Sequence, residues 1–566
     1  MTVEASRAQQ TSSATSPSPS VRSWSWPLLW LAVAAATVLL VRLPGPATLD
    51  PDEHAAALYF DRLVHGQRLE EPLLSAPKPL LTGVHGLAWA LLHDWRVLEA
   101  LAVAAFALAV VCLARAAWRL AGAPAAVATV VAVAGSGPLV LQAARGNSLV
   151  FAMAGWAVAL DALTRCPPPP GPAASRRGPG PAIATAVASP HGLGPAAAPA
   201  AARRGPDPAA AATGCRPAWG VAAAALALAA LARAETWPLL PLAAAWGVVA
   251  WRRGERRAAL LLLPLAAPLL WFAHDWLLTG DPLYTLRIPD RYTDLVAGRQ
   301  VVAPASWLAL VCRRYAASPL LLGLAAVGVL WLARRRAWVW LAGLGVATVG
   351  LLSLLGLEAW RGTYVSWRYF DPADLAVRLA AAIAAGRLAT ALVGRLAAPR
   401  AGAVPVGRLP VGGPGNRLGG GVAAVLGVLL VGVACWPLAP ADPLVGSTLD
   451  RDTRLSRNAA TAVGALRPVA AEPGAVVTVS GPQRVRVALE LGLPLGRARD
   501  LFLATRAEPL DRALAGSAAV FHDADGDRPP ERFAPLSVTS PTTVGTVEVE
   551  PLRTDPGRGL YVLRVR

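Results

Sequence analysis

The chain has 566 residues, 55% of them hydrophobic and 16% charged, with a mean hydropathy of +0.46. That apolar content exceeds what the core of a soluble protein of this length needs, which excludes a water-soluble enzyme and predicts an integral membrane protein. A net charge of +18 would point to nucleic acid in a soluble chain, but residues 441–566 balance sixteen Arg against fifteen Asp and Glu. The basic excess therefore lies in the apolar part and its loops, where it directs topology, and no nucleic-acid partner is predicted.

In chain order, residues 1–23 are polar and read as a disordered cytoplasmic N-terminus, and Trp24 to Val41 is an apolar run without a small-residue cleavage site close behind it. This is the pattern of a retained anchor. Apolar segments of about 20 residues, the length a bilayer core requires, recur near 97–118, 121–141, 146–164, 218–233, 237–251, 258–278, 317–333, 337–357, 372–393 and 419–438. The predicted fold class is an all-α polytopic membrane domain of about eleven spans, residues 24–438, followed by a small extracytoplasmic α/β domain, residues 439–566.

Orientation follows from arginine, because positive loops stay on the cytoplasmic side. With the N-terminus inside, alternate loops hold Arg115 and Arg119, the stretch Arg165 to Arg216, Arg252 to Arg257, Arg334 to Arg336, and Arg395 to Arg417. The stretch 166–217, rich in Pro, Ala and Gly, cannot bury a core and reads as a disordered cytoplasmic loop. The tail alternates β-rich runs at 475–480, 519–522, 545–550 and 559–565 with helical stretches such as 500–515. Its Asp523, Asp525 and Asp527 lack the later glutamate of a calcium loop and read as a solvated turn. The five cysteines show no CxxC spacing, so neither a disulfide framework nor a zinc site is indicated.

Polar chemistry concentrates in the first extracytoplasmic loop, residues 43–96. It carries Asp50, Asp52, Glu53, Asp61, Glu70 and Glu71, four of the seven histidines (His54, His65, His85 and His93), and Lys78, the single lysine against 52 arginines. Asp52-Glu53 opens a helix-like run a few residues after the first span, and Lys78-Pro79 precedes the amphipathic run 80–92. A carboxylate pair and a cation are thus predicted to meet at the membrane surface. A carboxylate placed there can act as general base on an acceptor hydroxyl, worth about 10²–10⁴-fold, and a cation can stabilise a departing phosphate. The plainer alternative is a solvated acidic loop.

The string Asp50-Pro51-Asp52-Glu53-His54-Ala55-Ala56-Ala57-Leu58-Tyr59, followed by Ala76-Pro77-Lys78-Pro79-Leu80-Leu81, resembles the Asp-Glu and Lys-Pro elements of GT-C glycosyltransferases, notably protein O-mannosyltransferases and lipid A aminoarabinose transferases. Asp94 to Leu98, Leu278 to Tyr284 and Arg368 to Pro372 resemble further family segments. The resemblance implies a bacterial plasma-membrane enzyme that takes sugar from a polyprenyl-phosphate donor and passes it, with inversion, to a glycan, lipid or protein acceptor at the cell envelope. By it Asp52 is the base, Glu53 contacts acceptor or a divalent metal, and Lys78, Arg368 and Tyr369 bind the donor phosphate. No other cofactor is implied. Asn147 stands where many relatives carry an acid, a departure from the pattern.

Further candidate contacts are His54, Tyr59, Arg145, Arg233, Glu235, His274 and Tyr284. Each has a structural alternative: Arg233 and Glu235 as an ion pair snorkelling to the interface, His274-Asp275 as satisfied interfacial groups. The tryptophans crowd span ends as an interfacial belt does. The competing functional readings are a transporter or lipid flippase, which proline-interrupted spans would suit, and a non-catalytic scaffold presenting the tail.

Overall fold

The computed structural model describes residues 22–42, 51–69, 73, 75–165, 218–288, 318–350, 370–397, 414–435, 444–480, 483–524 and 530–566, with isolated positions between 290 and 360. Most of the polar N-terminus, the stretch 166–217, Asp50, Glu70, Glu71, Arg368, Tyr369, Asp525 and Asp527 lie outside the described residues.

The described part before residue 436 is helical: α1 (Arg22–Arg42), α2 (Pro51–Val64), α3 (Pro79–Leu92), α4 (Trp95–Ala121), α5 (Ala123–Ala134), α6 (Gly137–Ala144), α7 (Ser148–Leu163), α8 (Trp219–Ala232), α9 (Leu239–Arg252), α10 (Ala267–Thr279), α11 (Pro319–Arg334), α12 (Trp338–Gly345), α13 (Asp371–Ala397) and α14 (Pro414–Cys435). Local chemistry sets several starts. Proline occupies the first turn of α3, α5, α6, α10 and α11, where its fixed φ suits a helix and its missing N–H costs nothing. Asp94 caps α4 by accepting from the Arg96 N–H at 2.9 Å.

Among the described residues three helical stretches, Trp95–Ala121, Arg256–Thr279 and Asp371–Leu396, are long and apolar enough to cross a membrane. A fourth is formed if α5 and α6, bent by 62° at Gly135-Ser136, are taken together. The other apolar helices are shorter than the predicted spans. The 258–278 run starts as a 3₁₀ segment, Arg256–Ala266, and the 337–357 run passes from α12 into a π-turn at Val346–Gly350. Small residues set the packing, as expected where lipid gives no hydrophobic drive between helices. Gly328 of α11 lies against the Ala380 backbone of α13, and Gly386 of α13 against Ala125 of α5.

The tail is a helix-and-sheet unit. Helices α15 (Leu444–Ala470), α16 (Arg484–Leu491), α17 (Leu501–Ala507) and α18 (Leu510–Leu514) flank a six-stranded sheet of order β2-β1-β3-β6-β5-β4. Its strands are β1 (Val477–Val479), β2 (Ala498–Asp500), β3 (Ala519–Asp523), β4 (Thr542–Val544), β5 (Val547–Asp555) and β6 (Leu560–Val565). β1 pairs parallel with β2 and β3, and the remaining pairs are antiparallel. Four strands fall where alternation predicts them. β2 and β4 are three residues each, too short for a period to register. One apolar cluster joins α15 to Val477, Phe521 and Val562, and a second on the other side joins Leu501, Leu514 and Phe533 to Val520 and Leu563.

Candidate active site

Four chain segments bring their polar ends together: the start of α2, the start of α3, the α6–α7 turn, and the end of α8. Pro51, Asp52 and Glu53 form the first turn of α2, where acids are favoured by the amide dipoles. Glu53 is fully buried, and its carboxylate accepts from the Ser148 backbone N–H at 3.1 Å, at the first residue of α7. The description places the Asp52 backbone in α2 and does not extend to its side chain.

Lys78 caps α3 with an extended backbone, φ −100° and ψ 112°, the conformation that a following proline imposes. Its Nζ lies 3.5 Å from Glu53 Oε1, and its side chain retains 12% exposure against none for Glu53. Seven residues on, two helical turns along the same face, His85 turns its Nδ1 to 3.5 Å from Glu53 Oε2 and packs edge-on against Phe151. Burial, and secondarily the charge of Lys78, push the imidazole down to about 3, so it is neutral at working pH.

The third and fourth segments meet through Asn147. This residue caps α7, its Oδ1 accepting from the Leu149 N–H at 2.9 Å and from Arg233 Nη1 at 3.2 Å. Arg233 ends α8 and forks onto Glu235, with Nη2 to Oε1 at 2.5 Å and Nε to Oε2 at 3.2 Å. Burial raises the Glu235 carboxyl, but the Arg233 guanidinium outweighs it, and with Lys78 adding to the pull the group is held at about 2. Arg233 thus meets an amide oxygen from Asn147, and Glu235, on the α8–α9 turn, supplies the carboxylate that pairs with it.

Several polar atoms in this cluster are buried without a hydrogen-bond partner among the described residues: both ring nitrogens of His85, Asn147 Nδ2, Ser148 Oγ and Thr82 Oγ1. Buried polar atoms are overwhelmingly paired in folded proteins, so this concentration leaves donors and acceptors for water or a ligand. Glu53 and His85 offer two metal donors, and among the described residues no group of three or more His, Cys, Asp or Glu comes together. With the Lys78 ammonium 3.5 Å from the Glu53 carboxylate, this set does not fit a divalent ion.

The other predicted contacts divide. Arg145 sits on the α6–α7 turn beside Gly146, whose φ of 73° the turn requires. Tyr59 and Tyr284 shape the first loop, donating to the Ser75 carbonyl at 2.7 Å and the Leu73 carbonyl at 2.5 Å. His54 packs edge-on against Trp95. His274 is 3.9 Å from Asp275, whose oxygens instead accept from Thr285 N and Oγ1 at 2.9 and 3.0 Å. Asp275 thus clasps Thr285, and both ring nitrogens of His274 are buried without a hydrogen-bond partner among the described residues. The sequence reading placed His85 among the histidines of the first loop without a role and did not single out Ser148. The seven-residue spacing from Lys78 would have exposed His85, whereas the Ser148 amide carries no sequence signal at all.

No protein-family model and no curated protein matches the chain. Among solved structures it is similar to ArnT from Cupriavidus metallidurans in the apo state, over 96% of its own length and 98% of that chain, at TM-score 0.49 and 14% identity. It is also similar to the archaeal oligosaccharyltransferase AglB from Archaeoglobus fulgidus in complex with an inhibitory peptide and a dolichol-phosphate, over 89% of its own length and 70% of that chain, at TM-score 0.46 and 11% identity.

Proposed function

We propose that the chain is a membrane glycosyltransferase that moves a sugar from a polyprenyl-phosphate donor to an acceptor on the extracytoplasmic side. The observation that carries this reading is the convergence of buried Glu53 and Arg233 with half-buried Lys78 and Glu235 at the ends of α2, α3 and α8, beside polar atoms with no hydrogen-bond partner among the described residues. Two carboxylates and two cations balance one another there, and Lys78, the member of the Glu53 pair with some exposure, is the natural partner for the charge of a donor phosphate.

In this reading Asp52 takes the proton from the acceptor hydroxyl as it attacks the anomeric carbon, and the polyprenyl phosphate leaves with its bonding electrons toward Lys78. Direct displacement of this kind inverts the anomeric centre. Glu53 positions Lys78 and braces the start of α2 against α7. Arg368 and Tyr369, next in sequence to the buried start of α13, add donor contacts. Arg145, on the same turn as Asn147, adds a third cation near the phosphate.

The test incubates the purified chain in lipid with radiolabelled polyprenyl-phosphate sugars and candidate acceptors. Asp52→Asn is expected to lower transfer by about 10²–10⁴-fold, the range for a general base. Unchanged transfer in that variant removes Asp52 from the chemistry. The break between α5 and α6 favours a second reading, a transporter or flippase built on interrupted spans. Passage of labelled lipid across a vesicle, without transfer in the wild type, would select it.

A further inference from the structure

At the end of α4 remote from the first loop, α1 and α4 flank an open groove of about 460 Å³ lined by Pro27, Trp30, Arg115, Trp118 and Arg119. Trp30 and Trp118 meet edge to face with centroids 6.1 Å apart. Arg115 and Arg119 stand one helical turn apart on the same face of α4. Beneath them Asp161 of α7 is buried, with Arg119 Nη1 at 2.6 Å, Arg165 Nη2 at 3.6 Å and Arg115 Nε at 3.7 Å. One carboxylate against three guanidinium groups leaves the neighbourhood positive. Both bonds from Arg119 to Asp161 leave from Nη1, and a guanidinium carries five donors.

Two features indicate what such a groove takes. Its walls are apolar, made by Pro27, the indoles and the arginine stems, with two cationic side chains contributed by α4, the combination that meets a lipid at an interface. Next to it, on the outer surface of α1, Leu28, Leu29 and Leu31 are 61%, 42% and 66% exposed, an apolar track for an acyl chain. The opposite end of α4 touches the tail through Trp95 and Glu490, about 36 Å away along 24 residues of helix. This site is therefore separate from the candidate active site.

We propose that the groove binds an anionic phospholipid, its phosphate held between Arg115 and Arg119 and its glycerol region against Trp30 and Trp118. Basic residues at a membrane surface attract anionic lipid by about fivefold in affinity each. A volume of 460 Å³ suits a headgroup and glycerol within the usual range of about 300–1,000 Å³ for ligand sites.

The experiment titrates delipidated full-length protein in detergent with phosphatidylglycerol, phosphatidylcholine or inorganic phosphate, and counts bound molecules by native mass spectrometry. Phosphatidylglycerol is expected to bind at least fivefold more tightly than phosphatidylcholine, and phosphate at equal concentration is expected not to displace it. Arg115→Gln should weaken phosphatidylglycerol about fivefold and Arg115→Lys should retain most of the binding. Trp30→Ala, which leaves the Asp161 cluster untouched, should weaken both lipids and decides the matter if Arg115→Gln does not fold. Equal binding of the two lipids, displacement by free phosphate, or wild-type affinity in Trp30→Ala would each overturn the proposal.

Discussion

Removing either partner of the Glu53–Lys78 pair leaves a charge where water scarcely reaches, and breaking a buried pair typically costs about 3–5 kcal/mol. Lys78→Met should be the more destabilising change, because Glu53 has no exposure and Lys78 keeps 12%. The double variant Glu53→Gln/Lys78→Met should recover much of the loss, and strictly additive losses in thermal unfolding would show the two are uncoupled. His85 gives a pH signature. Its folded pKa of about 3 lies below the ordinary 6.5, so the unfolded chain takes up a proton that the folded one refuses. Stability is full above pH 6.5 and is lost as pH falls toward 3. Glu235, lowered from 4.5 to about 2, adds loss of the same sign only below pH 4.5. Between pH 6.5 and 5, His85→Phe should therefore flatten the fall in Tm, and parallel wild-type and variant curves would show His85 is not the group responsible.

Packing of α13 against α5 and α11 depends on Gly386 and Gly328, because any side chain there would meet neighbouring backbone. Gly386→Ala should cost about 1–3 kcal/mol, as overpacking does. Gly432→Ala in α14, where a methyl group meets nothing within 4 Å, should be neutral or stabilise by up to about 1 kcal/mol. Thermal unfolding in detergent separates the two, and equal effects would show that close helix approach is unimportant. Element positions were largely legible in the sequence, since apolar runs flanked by Arg and opened by Pro mark helices whatever surrounds them. The bend at Gly135-Ser136 and the 3₁₀ start at Arg256 were not, because an apolar run has no period that distinguishes helix types.

The first loop and the tail are one packed unit in the whole molecule. Ala55, Leu58 and Tyr59 of α2 form a cluster with Ala488, Leu495 and Ala498 of the tail, and Trp95 donates to Glu490 at 2.9 Å, which Arg486 also holds at 2.6 Å. The helix that carries Asp52 and Glu53 thus rests on the tail. Leu495→Asp, a charge placed at a position 2% exposed, should uncouple the two parts and split a single unfolding transition into two. It should also lower sugar transfer under the proposed function. One unchanged transition, followed by tryptophan fluorescence, would show that the tail is energetically independent.

Composition alone determined that this chain belongs in a membrane, because an apolar content this high has no other stable solvent. The Asp52-Glu53 and Lys78-Pro79 strings determined where to look for chemistry, since each sits at a helix start that local rules predict. Only tertiary structure brought Lys78 to Glu53, with Asn147, Arg233 and Glu235 joining from positions 69 to 157 residues beyond Lys78. Backbone amides such as that of Ser148, and contacts made across long separations, depend on how helices cross, and no local pattern encodes that. The tail's role as a platform for α2 was equally hidden, because its contact residues, Ala488, Leu495 and Ala498, are ordinary apolar residues until the fold brings α2 against them.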